Sequence, residues 1–295
     1  FCTDVFFEEA TKWIGKVKGE KPFFCFIPTN APHTPLGCPD EFLKLYQGKS
    51  PTKSLDTYFG MIANIDTNVG KLRDQLKEWQ IDKDTLVIFM SDNGASNHFK
   101  EKPGPAAFFN AGMKGSKGSV DEGGTRVPSF WYWPGGFKGG ADVERLAAAI
   151  DVFPTLAEIA GVKIPADVKL DGRSLLPLLR NPKADWPDRF VFIHASNWGG
   201  NPADHKGPGF AVRNDRFRLV GNKKFYDIKA DRGQAKNVAE GNSGIITEMQ
   251  TAYDKWWDEV LPALEENAEN KSQNKPEKTA KKKDKKENRK KNKKD

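Results

Sequence analysis

The chain has 295 residues, with 47 Lys and Arg against 40 Asp and Glu, for a formal net charge of +7. Hydrophobic residues at 37% together with 27 glycines are ordinary for a globular protein and exclude a wholly disordered chain. The apolar run Phe23–Ile27 falls far short of the roughly 20 residues a membrane-spanning helix needs. The positive charge is local: residues 271–295 hold 13 basic and 4 acidic side chains, while the other 270 residues hold 34 basic and 36 acidic. A slightly acidic body with a basic tail gives no reason to expect a nucleic-acid partner. Three scattered cysteines (Cys2, Cys25, Cys38) make neither a disulfide framework nor a Cys-x-x-Cys metal site. Cys25, inside the apolar run, reads as a core residue.

In chain order, Phe6, Ala10, Trp13 and Val17 set a helical spacing over 3–17. After Pro22, Phe23–Ile27 reads as a short buried strand of the continuous apolar type found in parallel sheets. A loop dense in Pro, Asn and Thr follows and runs on to Pro51. The clearest helix spans Leu55–Trp79, where Ile62, Ile65, Val69, Leu72 and Leu76 form one stripe. Thr85–Met90 is a second apolar strand, ending at Ser91-Asp92-Asn93-Gly94. A third strand over Ser129–Trp133 and a helix over Asp151–Ala160 complete an α/β alternation. Past about Asp188 the texture changes to short strands at 190–193, 209–213, 217–220 and 224–227. They predict a small antiparallel sheet, with a helix near 245–260 carrying Trp256 and Trp257 against it. Beyond Leu264 the apolar pattern ends in Lys, Glu and Asn, a composition that predicts disorder.

Three short segments could carry chemistry. Asp92-Asn93 offers a carboxylate and an amide carbonyl at the carboxyl end of a strand, where ligands bind in open α/β sheets. Those are hard oxygens suited to Ca²⁺ or Mg²⁺, and equally the makings of a plain Asp-Asn-Gly turn. Lys117 lies between Gly115 and Gly118, which let a backbone and an ammonium approach an anion, though a solvated surface lysine fits the same residues. Walker A spacing is absent there. Glu122 and Arg126 suit an ion pair bracing the loop as well as they suit a site. His33, between Pro32 and Pro35, is presented rigidly enough to donate to an anion or to move a proton, or is an ordinary loop histidine. His98, His194 and His205 form no metal-spaced cluster.

The order of these segments is more specific than any one of them. Ala31-Pro32-His33-Thr34-Pro35 after a strand, a long helix, Ser91-Asp92-Asn93-Gly94, then Lys117-Gly118 followed by Glu122-Gly123-Gly124 and Arg126-Val127-Pro128 resembles the type I sulfatases of the alkaline-phosphatase superfamily. The later Leu170–Pro177 and the stretch from Ala211 to Asn237 belong to the same resemblance. It implies that Asp92 and Asn93 are metal ligands for one Ca²⁺, and that Lys117 and His33 hold the sulfate group, with Lys117 also near the leaving-group oxygen. In the family a Cys or Ser converted to formylglycine supplies the nucleophile. Here none of the 19 prolines has Cys or Ser two residues before it, and no Asp-Asp pair is present. With a first residue other than Met, this implies the back portion of a longer enzyme, expected to lack turnover and to bind Ca²⁺ weakly by itself.

The expectation is therefore an α/β fold with a mixed sheet sandwiched by helices over 1–188, an antiparallel α+β subdomain over 189–264, and a disordered basic tail over 265–295. The implied activity is sulfuric ester hydrolysis, R–O–SO₃⁻ plus water giving R–OH and sulfate, on a sulfated small molecule or polysaccharide. The alternatives are a phosphodiester or phosphonate monoester hydrolase of the same superfamily, and a non-catalytic polyanion-binding protein. Trp198, Asn201, His205 and the loop 99–110 are candidate rim residues. The tail is a candidate tether to a polyanion, and family resemblance implies a periplasmic or secreted setting.

Overall fold

The computed structural model describes residues 1–96, 109–195, 200–207 and 209–273. It divides into two units, 1–188 and 189–295.

The first unit is assembled around the long stripe-bearing helix. Helix α1 (Cys2–Val17) lays Phe7 and Ile14 against Leu72 and Leu76 of α3 (Lys53–Glu78), with Val69 and Trp79 at the margin. The Thr52 hydroxyl caps α3 by accepting from the Leu55 N–H at 3.2 Å. A polar clamp fixes the register of the two helices, with Asp4 accepting from the side-chain amides of Asn64 and Asn68 at 2.7 and 2.8 Å. Helix α2 (Asp40–Tyr46) occupies a stretch whose flanking Pro and Gly residues suggest only loop; it packs on α3.

Strand β1 (Val87–Met90) pairs antiparallel with β2 (Ser129–Tyr132), Val87 opposite Tyr132 and Met90 opposite Ser129. The segment Phe23–Ile27 departs from expectation. Its inward residues Phe23, Cys25 and Ile27 do pack on the α1–α3 core, and burial pushes the Cys25 thiol above its ordinary value. No ladder forms, however, because among the described residues no strand pairs with it. Apolar pattern reports which side chains seek a core; a strand also needs a hydrogen-bonding neighbour.

Helices α4 (Glu122–Thr125), α5 (Val152–Ile159) and α6 (Leu176–Arg180) complete this unit. Asp151, fully buried, ties the segment ahead of α6 to the start of α5. Its carboxylate accepts from the backbone N–H of Ala148 at 2.8 Å and of Arg173 at 3.0 Å. The Thr155 hydroxyl relays the tie, accepting from the Leu175 N–H at 2.8 Å. The Arg173 guanidinium lies 3.9 Å over the Trp186 ring, which sits in a cluster with Leu175 and Leu178.

The second unit is a meander of β3 (Val191–His194), β4 (Phe210–Arg213), β5 (Phe217–Val220) and β6 (Lys224–Asp227), antiparallel in that order. Helix α7 (Ser243–Gln273) covers it, burying Met249, Tyr253 and Trp257 against Phe210, Val212, Leu219 and Phe225. Phe210 and Tyr253 stack at 3.7 Å. The helix continues nine residues past Leu264, where the apolar pattern stops, because Ala, Glu, Lys and Gln favour helix without a core contact.

Candidate functional site

Strand β1 delivers its last apolar residue, Met90, into a tight turn that the Ser91 hydroxyl bends by donating to the Asn93 carbonyl oxygen at 3.1 Å. Asp92 on this turn is exposed and Asn93 half-buried. Among the described residues neither side chain has a hydrogen-bond or ion-pair partner, so both oxygens remain available to a cation.

The loop bearing Lys117 is stitched to this turn through backbone alone. The Gly94 N–H donates to the Gly124 carbonyl oxygen at 2.9 Å, and the Lys117 N–H to the Ala95 carbonyl oxygen at 2.9 Å. No side chain fits between the strands of this knot: a Cβ at Gly94 would lie 1.9 Å from the Gly123 carbonyl oxygen. Within the loop, the Gly123 N–H donates to the Lys114 carbonyl oxygen at 2.7 Å, and the Asn110 side-chain amide donates to the carbonyl oxygens of Met113 and Gly115. Asn110 is thus a brace for the Lys117 loop, a role its place at the end of a Gly/Asn/Pro-rich stretch does not disclose. Glu122 is buried, with Arg126 3.8 Å away, so this pair secures the start of α4. Half-buried, the Lys117 ammonium has no partner among the described residues.

His33 is carried by the loop anchored through Ala31. Ala31 packs with Met61 and Ile65 of α3, and Phe89, three residues before Asp92, lies against the same cluster. The His33 ring is exposed and its Nδ1 lies 2.8 Å from the Thr34 carbonyl oxygen. A carbonyl only accepts, so Nδ1 carries the hydrogen, and Nε2 has no hydrogen-bond partner among the described residues. Asp92, Asn93 and Lys117 therefore lie on segments bonded to each other after β1, while the His33 loop is related to β1 through the shared Ala31–Phe89 cluster.

The rim candidates are distributed differently. The Asn201 side chain is committed to its own turn, accepting from the Ala203 N–H at 3.1 Å, and the His205 carbonyl oxygen accepts from His194 Nε2 at 2.8 Å. Both belong to the second unit. His98, Trp198, residues 99–108 and the tail from 274 lie outside the described residues.

The oxygens of Asp92 and Asn93 are of the type Ca²⁺ takes, two against the six to eight it requires. Among the described residues no group of three or more His, Cys, Asp or Glu side chains converges on a metal position. No described helix is long and apolar enough to cross a membrane.

Comparison with known proteins gives two family matches. Residues 2–162 match the family described as Sulfatase, and residues 116–257 match N-sulphoglucosamine sulphohydrolase, C-terminal. The Escherichia coli (strain K12) protein described as uncharacterized sulfatase YdeN is 29% identical, over 92% of this chain and 53% of its own length. Human steryl-sulfatase is 32% identical over 64% of this chain and 31% of its own. The crystal structure of Ps i-CgsB superposes with a TM-score of 0.73 at 30% identity, covering 88% of this chain and 56% of that one; the same protein has been solved in complex with k-i-k-neocarrahexaose. The chain spans about half the length of the first two of these structures and of YdeN.

Proposed function

The chain belongs to the sulfatase family, and we propose that it serves the hydrolysis of a sulfate ester, R–O–SO₃⁻ plus water giving R–OH plus sulfate. The observation that carries this reading is the backbone knot between the Asp92 turn and the Lys117 loop. It ties the turn that carries Asp92 and Asn93 to the loop that carries Lys117, after a strand, which supports the reading.

In this reading Asp92 and Asn93 contribute two oxygens to a Ca²⁺ ion, which when bound offsets the negative charge of the sulfate oxygens. Lys117 holds a sulfate oxygen and stabilises charge developing on the leaving-group oxygen, acting from a fixed backbone position. His33, through Nε2, binds the sulfate group from the opposite loop. The knot holds the Asp92 turn and the Lys117 loop together before substrate arrives, which limits reorganisation as charge develops. Formylglycine is a different matter. No Cys or Ser in this chain stands in the Cys/Ser-x-Pro-x-Arg setting the family requires, so no nucleophilic step is assigned to its residues.

The substrate class that goes with this reading is a sulfated small molecule or polysaccharide, and the setting is the periplasm or the cell exterior. The k-i-k-neocarrahexaose complex of Ps i-CgsB supports the carbohydrate side of that choice.

The test is turnover of para-nitrophenyl sulfate against bis(para-nitrophenyl) phosphate by an enzyme that unites this chain with a nucleophile segment. Sulfate-selective turnover is expected, with Lys117→Ala lowering kcat about 100-fold. Phosphodiester-selective turnover, or an unchanged rate in Lys117→Ala, would overturn the reading. The 295-residue chain alone is expected to turn over neither compound.

A further inference from the structure

Between Asn110 and Lys117 the chain folds back on itself. Ala111 and Gly112 take left-handed backbone in succession, at φ of +57° and +71°, and Gly115 does so again at +81°. Ala111 adopts it against the preference of a residue with a side chain. A turn of this kind needs donors for its carbonyl groups. Each carbonyl from Met113 to Ser116 has one. Those of Met113 and Gly115 accept from the Asn110 side-chain nitrogen at 2.7 and 3.0 Å. That of Lys114 accepts from the Gly123 N–H at 2.7 Å, and that of Ser116 from the Ser119 N–H at 2.9 Å. Of these four bonds only the two from Asn110 come from a side chain, and both leave the same nitrogen, so they draw two carbonyl groups toward one point.

The glycine after Glu122 fits directly against that point. A Cβ at Gly123 would lie 2.4 Å from the Gly115 carbonyl oxygen, 2.7 Å from that of Lys114 and 2.9 Å from the Asn110 side-chain nitrogen. Two residues past Gly115, the Lys117 N–H donates to the Ala95 carbonyl oxygen. The backbone leading to Lys117 is thus held at one end by Asn110 and at the other by the segment that follows Asp92.

We propose that Asn110 is a positioning residue for sulfate-ester hydrolysis: through the Met113 and Gly115 carbonyl oxygens it fixes the backbone from which the Lys117 ammonium reaches the leaving-group oxygen. The inference rests on the role given to Lys117 above. A lysine ammonium rides on a flexible four-carbon stem, so the place of its own backbone decides where it can act. Misplacing a catalytic group by about 1 Å can cost as much as 100-fold in rate.

The test is a double-substitution cycle in an enzyme that unites this chain with a nucleophile segment, read on para-nitrophenyl sulfate and phenyl sulfate. Asn110→Ala is expected to lower kcat about 10-fold, with KM changed less than about threefold. The loss is expected to be larger on phenyl sulfate, whose poorer leaving group depends more on Lys117. In a Lys117→Ala background the same substitution is expected to cost less than about twofold, because its effect passes through the ammonium already removed. Asn110→Asp, which keeps the shape and removes the donor, is expected to lose at least as much as Asn110→Ala. In the 295-residue chain, Asn110→Ala is expected to speed amide exchange at Lys117 about 10-fold while the α3 amides keep their rates. The proposal is overturned by full activity in Asn110→Ala, by an equal loss with and without Lys117, or by the same loss on both esters. An Asn110→Ala protein that no longer folds overturns it too, since Asn110 would then be structural only. If Lys117→Ala itself keeps the full rate, the sulfatase reading falls and takes this one with it; if Lys117→Ala is slow and the cycle fails, the failure belongs to Asn110 alone.

Discussion

The Gly94 N–H donates to the carbonyl oxygen of Gly124 at 2.9 Å, one of two backbone bonds, with Lys117 N–H to the Ala95 carbonyl oxygen, that tie the turn carrying Asp92 to the segment carrying Lys117. Gly94→Ala puts a methyl group 1.9 Å from the Gly123 carbonyl oxygen, so backbone must move and the bond is lost. A destabilisation of about 3 kcal/mol is expected in urea unfolding. Gly118→Ala is the control. Its φ of +87° disfavours a side chain but no atom lies within 4 Å, so about 1–2 kcal/mol is expected. Equal losses at the two positions would refute the crowding argument.

The buried Asp151 carboxylate holds two partly buried backbone donors, on Ala148 and Arg173. Asp151→Ala leaves both without a partner and is expected to cost about 2–4 kcal/mol, with faster amide exchange at Arg173. Asp151→Asn keeps one acceptor oxygen and should fall between. The neighbouring Gly172 admits no side chain, since a Cβ there would sit 1.9 Å from the Ile150 carbonyl oxygen.

The α7 core contact is testable by truncation. Trp257→Ala, at a side chain 2% exposed against the meander, is expected to cost about 3–5 kcal/mol, read from exchange of the β4–β5 ladder amides.

Two groups give successive acid-side steps of a pH profile. Burial alone would raise the Asp56 carboxyl, but hydrogen bonds from Ser50 and Gly48, at 3.0 and 2.8 Å to the backbone N–H groups, outweigh it and hold it below 3.8. Its stabilisation is complete above that ordinary value and is lost as pH falls through the depressed one; Asp56→Asn should flatten the acid limb of the unfolding midpoint between about pH 2 and 5. Burial against Trp257 and Tyr253, with His205 nearby, lowers His194 below 6.5 despite its bond to the His205 carbonyl oxygen. The fold favours its neutral ring, so stability of the second unit is full above 6.5 and declines as pH drops toward the lowered value. His194→Gln, followed by circular dichroism across about pH 5–7, should remove that decline.

Helix α3 was legible because its signal is local, one apolar stripe at helical spacing. The meander was legible for the same reason, with turn residues bracketing short apolar runs. The ladder state of Phe23–Ile27 was not, since a sequence names the side chains but not the neighbour a strand will find. Neither was the brace by Asn110, nor the bond between Lys117 and Ala95, because both depend on loop backbones folding onto one another. The four candidate side chains could be named from their motifs; what the motifs withheld was that glycine contacts join the Asp92 turn to the Lys117 loop.

Those glycine contacts separate two properties that most sites entangle. The distance between the Asp92 turn and the Lys117 loop is held by peptide groups in van der Waals contact, and no rotamer of either charged residue takes part in it. Exchanging Asp92 or Lys117 for another side chain should therefore silence the chemistry while leaving the scaffold at full height, giving a chemically blank but shape-true version of the site for measuring what binding alone contributes.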